Sequence, residues 1–161
     1  MNTLFRLATV IVLAPLIGVL EKCVCLLIPE NPESIREEQE MDRLEERFLL
    51  HPALALEQSR QVTDAMAQRA MDNLLRAMEL VHRFSDKGCQ AVEDTEDAID
   101  RYEDRLGTYL MKITGKELSQ RQSEEVSKYL HTISDFERIS DHALNICDCL
   151  LYTSDAADDK A

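Results

Sequence analysis

The strongest constraint on the fold is a seven-residue repeat in two long segments that contain no proline. The first segment repeats at Val92, Ile99, Leu106 and Ile113, and the second repeats at Val126, Ile133, Ser140 and Cys147. Side chains seven residues apart lie on nearly the same face of an α-helix, so each segment can bury one stripe against a neighbour. The repeat therefore predicts two long amphipathic helices that pack along these seams.

A third amphipathic segment comes before these two and follows Pro52. Its apolar side chains are mostly three or four residues apart, at Leu56, Val62, Met66, Ala70, Leu74, Ala77, Met78 and Val81. This spacing predicts a helix that runs to about Phe84.

Short turn signals separate the three segments. They are Asp86 with Gly88, Thr114 with Gly115, and a capping-box pattern of Ser119 with Gln122. Three amphipathic helices joined by short connections form an antiparallel bundle. The predicted fold class is therefore all-α, with an antiparallel three-helix bundle over residues 52–148.

The chain from Leu4 to Ile28 is almost wholly apolar and is long enough to cross a bilayer. A secretory signal peptide is the alternative, but Glu21 and Lys22 stand where a small-residue cleavage site belongs. We therefore expect a transmembrane helix over residues 1–28, with the lipid bilayer as its partner.

An acidic connecting helix is expected over residues 29–51. Asn31 followed by Pro32 is a helix-start signal, and charged side chains dominate the segment that follows. The pattern predicts a helix exposed to solvent.

The net charge of −13 disfavours nucleic acid as a partner, because phosphates need basic side chains to neutralise them. The five cysteines are odd in number and lie mostly in apolar or helical segments, which is typical of reduced cysteines used for packing. Their spacing matches no zinc knuckle. No phosphate-binding glycine loop, nucleophile elbow or catalytic triad is apparent, so we expect a protein that is not an enzyme.

Two pairs of acidic residues have helical spacing, Glu96 with Asp100 and Glu137 with Asp141. Residues four apart lie above one another on a helix, so each pair places two like charges side by side. A bound cation would relieve the repulsion. A solvated acidic face is the alternative, and Arg138 offers Asp141 an ordinary ion pair.

The heptad register places Glu96, Glu103 and Glu137 immediately beside the apolar seams. A carboxylate at such a boundary can reach a shared site and keep some solvent, which suits a cation that prefers oxygen ligands.

Two strings carry a family resemblance. DFERISDHALNI, residues 135–146, resembles the signature of PhoU-like domains, and EDAID, residues 96–100, looks like the companion acidic motif. Upstream, HPALALEQ follows the apolar stretch NTLFRLATVIVLAPLIGVLEK. This junction is similar to that between the last transmembrane helix and the PhoU-like domain of bacterial sodium/phosphate cotransporter family proteins.

The resemblance implies phosphate-linked transport or its regulation at the bacterial cytoplasmic membrane, with the bundle facing the cytoplasm. It also implies iron or another divalent or trivalent metal as cofactor. The implied ligands are Glu96, Asp100, Glu137 and Asp141, assisted by Asn145. The sequence departs from the usual pattern at Ser140 and Phe136, and neither departure removes a ligand.

On the same resemblance the chain is expected to be a fragment. Residues 1–28 would be the last helix of a transporter domain, and 52–148 the first half of a PhoU-like domain. The missing transporter helices and the second half are then expected partners, and a homo-oligomer is a further one. Residues 149–161 resemble a translated sequencing adapter.

Two other functions remain open at this point. One is a membrane-anchored interaction bundle without a ligand. The other is a carboxylate-bridged di-metal oxidase, for which Glu79 and His82 supply one Glu-x-x-His pair. That fold needs two such pairs, and this chain has only one.

Overall fold

The computed structural model describes residues 32–158 of the chain, with side chains described from 34 to 153. The helices are α1 (Pro32–Met41), a short 3₁₀ helix (Glu46–Leu50), α2 (Pro52–Leu80), α3 (Asp86–Thr114) and α4 (Gln120–Asp158). No strand is present in this part of the chain. Two compact units divide the chain, one ending at Glu38 and the other beginning at Gln39, and the second contains the bundle.

The bundle consists of α2, α3 and α4, each of which packs against the other two. All eight residues of the predicted seven-residue repeats are buried, including the polar Ser140. Tyr102 and Tyr109, which lie between the repeats of α3, are buried with them. The all-α bundle predicted from the repeat is therefore confirmed.

The boundaries of α3 and α4 follow the turn signals. The hydroxyl of Ser85 accepts a hydrogen bond from the Gly88 backbone N–H at the start of α3. At the start of α4 the Ser119 backbone N–H donates to Gln122 Oε1 at 2.9 Å, and the Gln122 N–H donates to Ser119 Oγ at 3.4 Å. This reciprocal pair is the predicted capping box.

The second half of α2 differs from the prediction. The helix ends at Leu80 rather than near Phe84. Met78 and Val81, which we expected on the packing stripe, are 53% and 51% exposed. Ala77 is buried as predicted, but Asn73 is buried as well, so a polar residue occupies a seam position that the apolar pattern does not reveal.

The predicted connecting helix of residues 29–51 is broken in two. It consists of α1, which begins at Pro32 as expected, and the 3₁₀ helix, with a turn between them. We call residues 40–50 the N-terminal strap. Leu44 and Leu49 of the strap are buried, and the Tyr109 hydroxyl donates to the Glu45 backbone carbonyl at 3.0 Å. The strap is therefore part of the core, and the expectation of a fully solvated connection was wrong.

Charged side chains fix the strap to α3. Asp42 pairs with Arg105 at 3.4 Å, and Glu46 pairs with Lys112 at 2.6 Å. Both pairs are exposed, so each adds little to stability.

Among the helices of residues 32–158, none has the length and apolar character needed to cross a bilayer. The transmembrane helix expected over residues 1–28 lies outside the described residues. At the other end, α4 continues as helix through Asp158. The assignment of residues 149–161 to an adapter remains a prediction.

Candidate acidic site

The acidic motif of α3 lies at the edge of the core. Ile99 is fully buried in the seam, so Glu96 and Asp100 project beside it toward the rim that α3 shares with α4. Glu96 is partly buried and Asp100 is exposed. The predicted boundary position of Glu96 is confirmed.

The acidic motif of α4 is followed, one turn later, by the side-chain amide of Asn145. Glu137, Asp141 and Asn145 follow one another at intervals of four residues, so they share one helix face. The Asn145 amide Nδ2 donates to the Asp141 backbone carbonyl at 2.8 Å and to Asp141 Oδ2 at 3.2 Å. Asn145 thus holds the Asp141 carboxylate in place on its own helix.

The structure brings the two motifs together. The pKa of Glu96 is raised to about 7, first by burial, then by Asp100 and Asp97 of its own helix, and then by Asp141 and Glu137 across the helix pair. Carboxylates this close disfavour one another's charged form. The four acidic residues predicted from spacing therefore form one electrostatic cluster.

The neighbouring carboxylates show the same effect. The pKa of Asp100 is raised by burial and then by Glu103, Asp97 and Asp141, whereas a hydrogen bond from Glu96 lowers it. The pKa of Glu137 is also raised by burial, and next by Glu103 and Asp100. This hydrogen bond offsets part of the repulsion at Asp100.

Arg138 offers little relief at this cluster. Arg138, which we considered as a partner for Asp141, lies 3.6 Å from Asp135 instead, in an exposed pair. Its effect on the pKa of Glu137 is the smallest of the causes that shift it. The alternative in which Arg138 neutralises Asp141 is not what the structure shows.

Two residues that the motifs did not include link the helices beside the cluster. Ser134 Oγ of α4 donates to Glu103 Oε1 of α3 at 2.6 Å. The sequence predicts Glu103 beside the apolar seam of α3 but does not predict a hydrogen-bond partner for it. Ser134 lies one turn before Glu137, so its position in the sequence could have indicated a hydrogen-bond donor beside the acidic motif.

A buried polar contact joins all three helices on the core side of the site. Asn73 of α2 donates through Nδ2 to the Val92 carbonyl of α3 at 3.1 Å and to Ser140 Oγ of α4 at 2.9 Å. Ser140 precedes Asp141, and Val92 lies one turn before Glu96. The Asn73 side chain therefore bonds to both helices that carry the acidic motifs, through a backbone carbonyl of α3 and a side-chain hydroxyl of α4.

Within residues 34–153, no three His, Cys, Asp or Glu side chains converge closely enough to hold a metal ion. The carboxylates of the cluster are near enough to repel one another, but they do not converge on one metal position. The other candidate ligand, His82, is exposed and lies beyond the end of α2. It therefore forms no Glu-x-x-His pair on a continuous helix with Glu79.

Stability is expected to fall as pH rises from about 5 to about 7. Glu96 titrates near 4.5 when unfolded and near 7 when folded. Between these values the folded state binds more protons, so deprotonation favours unfolding. The thermal midpoint measured across this range should decrease, and Glu96→Gln should reduce the slope. An unchanged slope in Glu96→Gln would contradict the assignment.

The fold and the site define an all-α domain in which acidic motifs on two neighbouring helices lie close together. Residues 63–150, more than half of the chain, match the PhoU domain. The chain therefore belongs to the PhoU domain family, whose members are regulatory domains associated with phosphate transport. The matched residues include both acidic motifs. No curated protein and no solved structure matches the chain.

Proposed function

We propose that this chain carries the regulatory or accessory PhoU domain of a sodium-dependent phosphate transporter. The family match supports the regulatory role. The transporter context is supported by the apolar stretch from Leu4 to Ile28 and its junction with HPALALEQ. On this proposal residues 1–28 anchor the chain in the bacterial cytoplasmic membrane, and the bundle, which has no catalytic role, faces the cytoplasm.

The membrane anchor is tested by fractionation of cells that produce the chain. The full chain should sediment with the membranes, and a chain that begins at Gln39 should stay in the supernatant, because its helices are too polar to enter a bilayer. Equal distribution of the two chains would contradict the anchor.

We further propose that the acidic cluster binds a metal. The observation that carries this is that the pKa values of Glu96, Asp100 and Glu137 are all raised, with Asp141 among the causes in each case. Carboxylate oxygens suit iron, manganese and other hard cations. Such a metal would supply positive charge between α3 and α4.

The residues that would hold the metal are the four carboxylates, with Asn145 positioning Asp141. Asp100 and Asp141 are exposed, so their side chains can rotate toward a cation without disturbing the core. Glu96 would have to be deprotonated first, since a metal binds the carboxylate form.

The metal proposal is tested by Asp100→Asn combined with Asp141→Asn. We expect purified parent protein, loaded with iron(II) or manganese(II) and dialysed, to retain metal that the double variant loses. Metal should also raise the thermal midpoint of the parent alone, because a ligand that binds only the folded state stabilises it.

The matched control is Asp94→Asn combined with Asp135→Asn, which removes one charge from each of the same helices outside the cluster. This control should keep its metal. Equal metal content in the parent and in the Asp100 and Asp141 variant would overturn the site.

A bundle without a ligand is the second candidate, favoured by the lack of three converging ligands among the described side chains. On that view the acidic faces attract basic protein surfaces. A thermal midpoint that no metal raises would support it. Oxidase chemistry has no such support, because His82 lies beyond α2.

A further inference from the structure

Two buried thiols occur where the beginning of α3 packs against α4. Cys89 is 4% exposed and Cys147 is 1% exposed, and both belong to one apolar cluster with Ala77, Val92 and Ala143. Neither cysteine forms a disulfide in this structure. The remaining cysteine of the described residues, Cys149, is exposed.

The antiparallel register of α3 and α4 sets the two thiols at the same level. Ser134 and Glu103 are joined across these helices by a hydrogen bond. Cys147 lies thirteen residues after Ser134, and Cys89 lies fourteen residues before Glu103. Because the helices run in opposite directions, these nearly equal distances bring the cysteines opposite one another.

The two thiols are neighbours, because both lie in one buried cluster and a hydrogen bond links Cys147 to Cys89. The pKa of the Cys147 thiol is raised to about 12, mainly by burial and next by a hydrogen bond with Cys89. The protonated thiol is a weak nucleophile, so this pair reacts slowly at neutral pH and stays reduced under mild conditions.

We propose that Cys89 and Cys147 form a redox modification site that closes to an intramolecular disulfide when the chain meets hydrogen peroxide. One thiol takes an oxygen atom from the peroxide, becomes a sulfenic acid and releases one water molecule. The second sulfur then attacks the sulfenic sulfur, the S–S bond forms, and the hydroxyl leaves with the remaining thiol proton as a second water molecule. Two thiols are oxidised and one peroxide is reduced.

The disulfide would tie the beginning of α3 to α4. Everything between the two cysteines, including both acidic motifs, would lie within the closed loop. Cross-linking restricts the unfolded chain more than the folded one, so the oxidised bundle would be the more stable form. The inference does not depend on metal binding or on the membrane anchor.

The test uses the full chain in detergent with Cys23, Cys25 and Cys149 replaced by serine. After treatment with hydrogen peroxide, denaturation and maleimide labelling, we expect both remaining thiols to be lost. The monomer should lose the mass of two hydrogens, and dithiothreitol should restore both thiols. The thermal midpoint of the oxidised form should rise by about 5 °C or more.

The control is the same protein with Cys89→Ala, which keeps a small apolar side chain at the packed position. Its monomer should show no loss of two hydrogens. Retention of both thiols in the two-cysteine protein, or a gain of oxygen atoms without a cross-link, would overturn the proposal. A midpoint that falls on oxidation would equally contradict a disulfide that fits the folded bundle.

Discussion

Tyr102→Ala is expected to lower the free energy of unfolding by about 3–5 kcal/mol, the usual cost of emptying a large buried aromatic site. Tyr102 is fully buried and is the largest of the fully buried side chains. Its ring lies under the Arg69 guanidinium, 5.4 Å from ring centroid to Cζ. Its hydroxyl donates to Glu40 of the strap and accepts from Arg69 Nε at 3.2 Å. The substitution therefore opens a cavity and releases the strap together.

Tyr102→Phe separates these two effects. It keeps the ring and removes the hydroxyl that connects Glu40 with Arg69, so a loss of about 1–3 kcal/mol is expected. The direct contact of Arg69 Nη2 with Glu40 Oε2 at 3.2 Å remains. Urea unfolding followed by circular dichroism measures both variants. A Phe variant as unstable as the Ala variant would show that the hydroxyl, rather than packing, dominates.

Asn73→Asp is expected to cost about 3–5 kcal/mol at pH 7, because it buries a charge without a partner. The Asn73 side chain has no exposure, and its Oδ1 already lacks a hydrogen-bond partner among the described residues. The new carboxylate cannot donate to the Val92 carbonyl as the amide does. Its pKa would be raised in the folded state, so the deficit relative to the parent should shrink as pH is lowered.

Asn73→Leu is the matched control, since it removes the polar side chain without adding a charge. We expect a smaller loss of about 1–3 kcal/mol that does not change with pH relative to the parent. Urea unfolding at pH 7 and pH 5 distinguishes the two variants. An Asp variant that equals the Leu variant at both pH values would contradict the burial of a charge at this position.

Local spacing predicted most of the bundle. The seven-residue repeats, the capping box at Ser119 and each acidic pair involve residues within two helical turns of one another. Such local relationships can be identified from the spacing of residues in the sequence. The proximity of the two acidic motifs followed from the predicted antiparallel packing of α3 and α4 along their apolar seams. Helix geometry then brought Glu96 near Glu137.

Contacts between distant parts of the chain were missed. Asn73 meets Ser140 at a separation of 67 residues, and Tyr102 meets Glu40 at 62. No periodic pattern marks such pairs, because a buried asparagine resembles a surface residue when the sequence is read alone. Met78 was misplaced for a related reason, since an apolar residue on the outer face has the same chemistry as one in the seam.

If the acidic cluster binds a cation as proposed, cation binding is linked to proton release at Glu96. Burial and the neighbouring carboxylates raise the pKa of Glu96 to about 7, so its charge changes near neutral pH. A cation that enters among these carboxylates would expel that proton to the solvent. Acidification and cation depletion would then both favour the protonated, cation-free form of the cluster. The fraction of clusters that hold a cation would depend on the ratio of cation to proton activity.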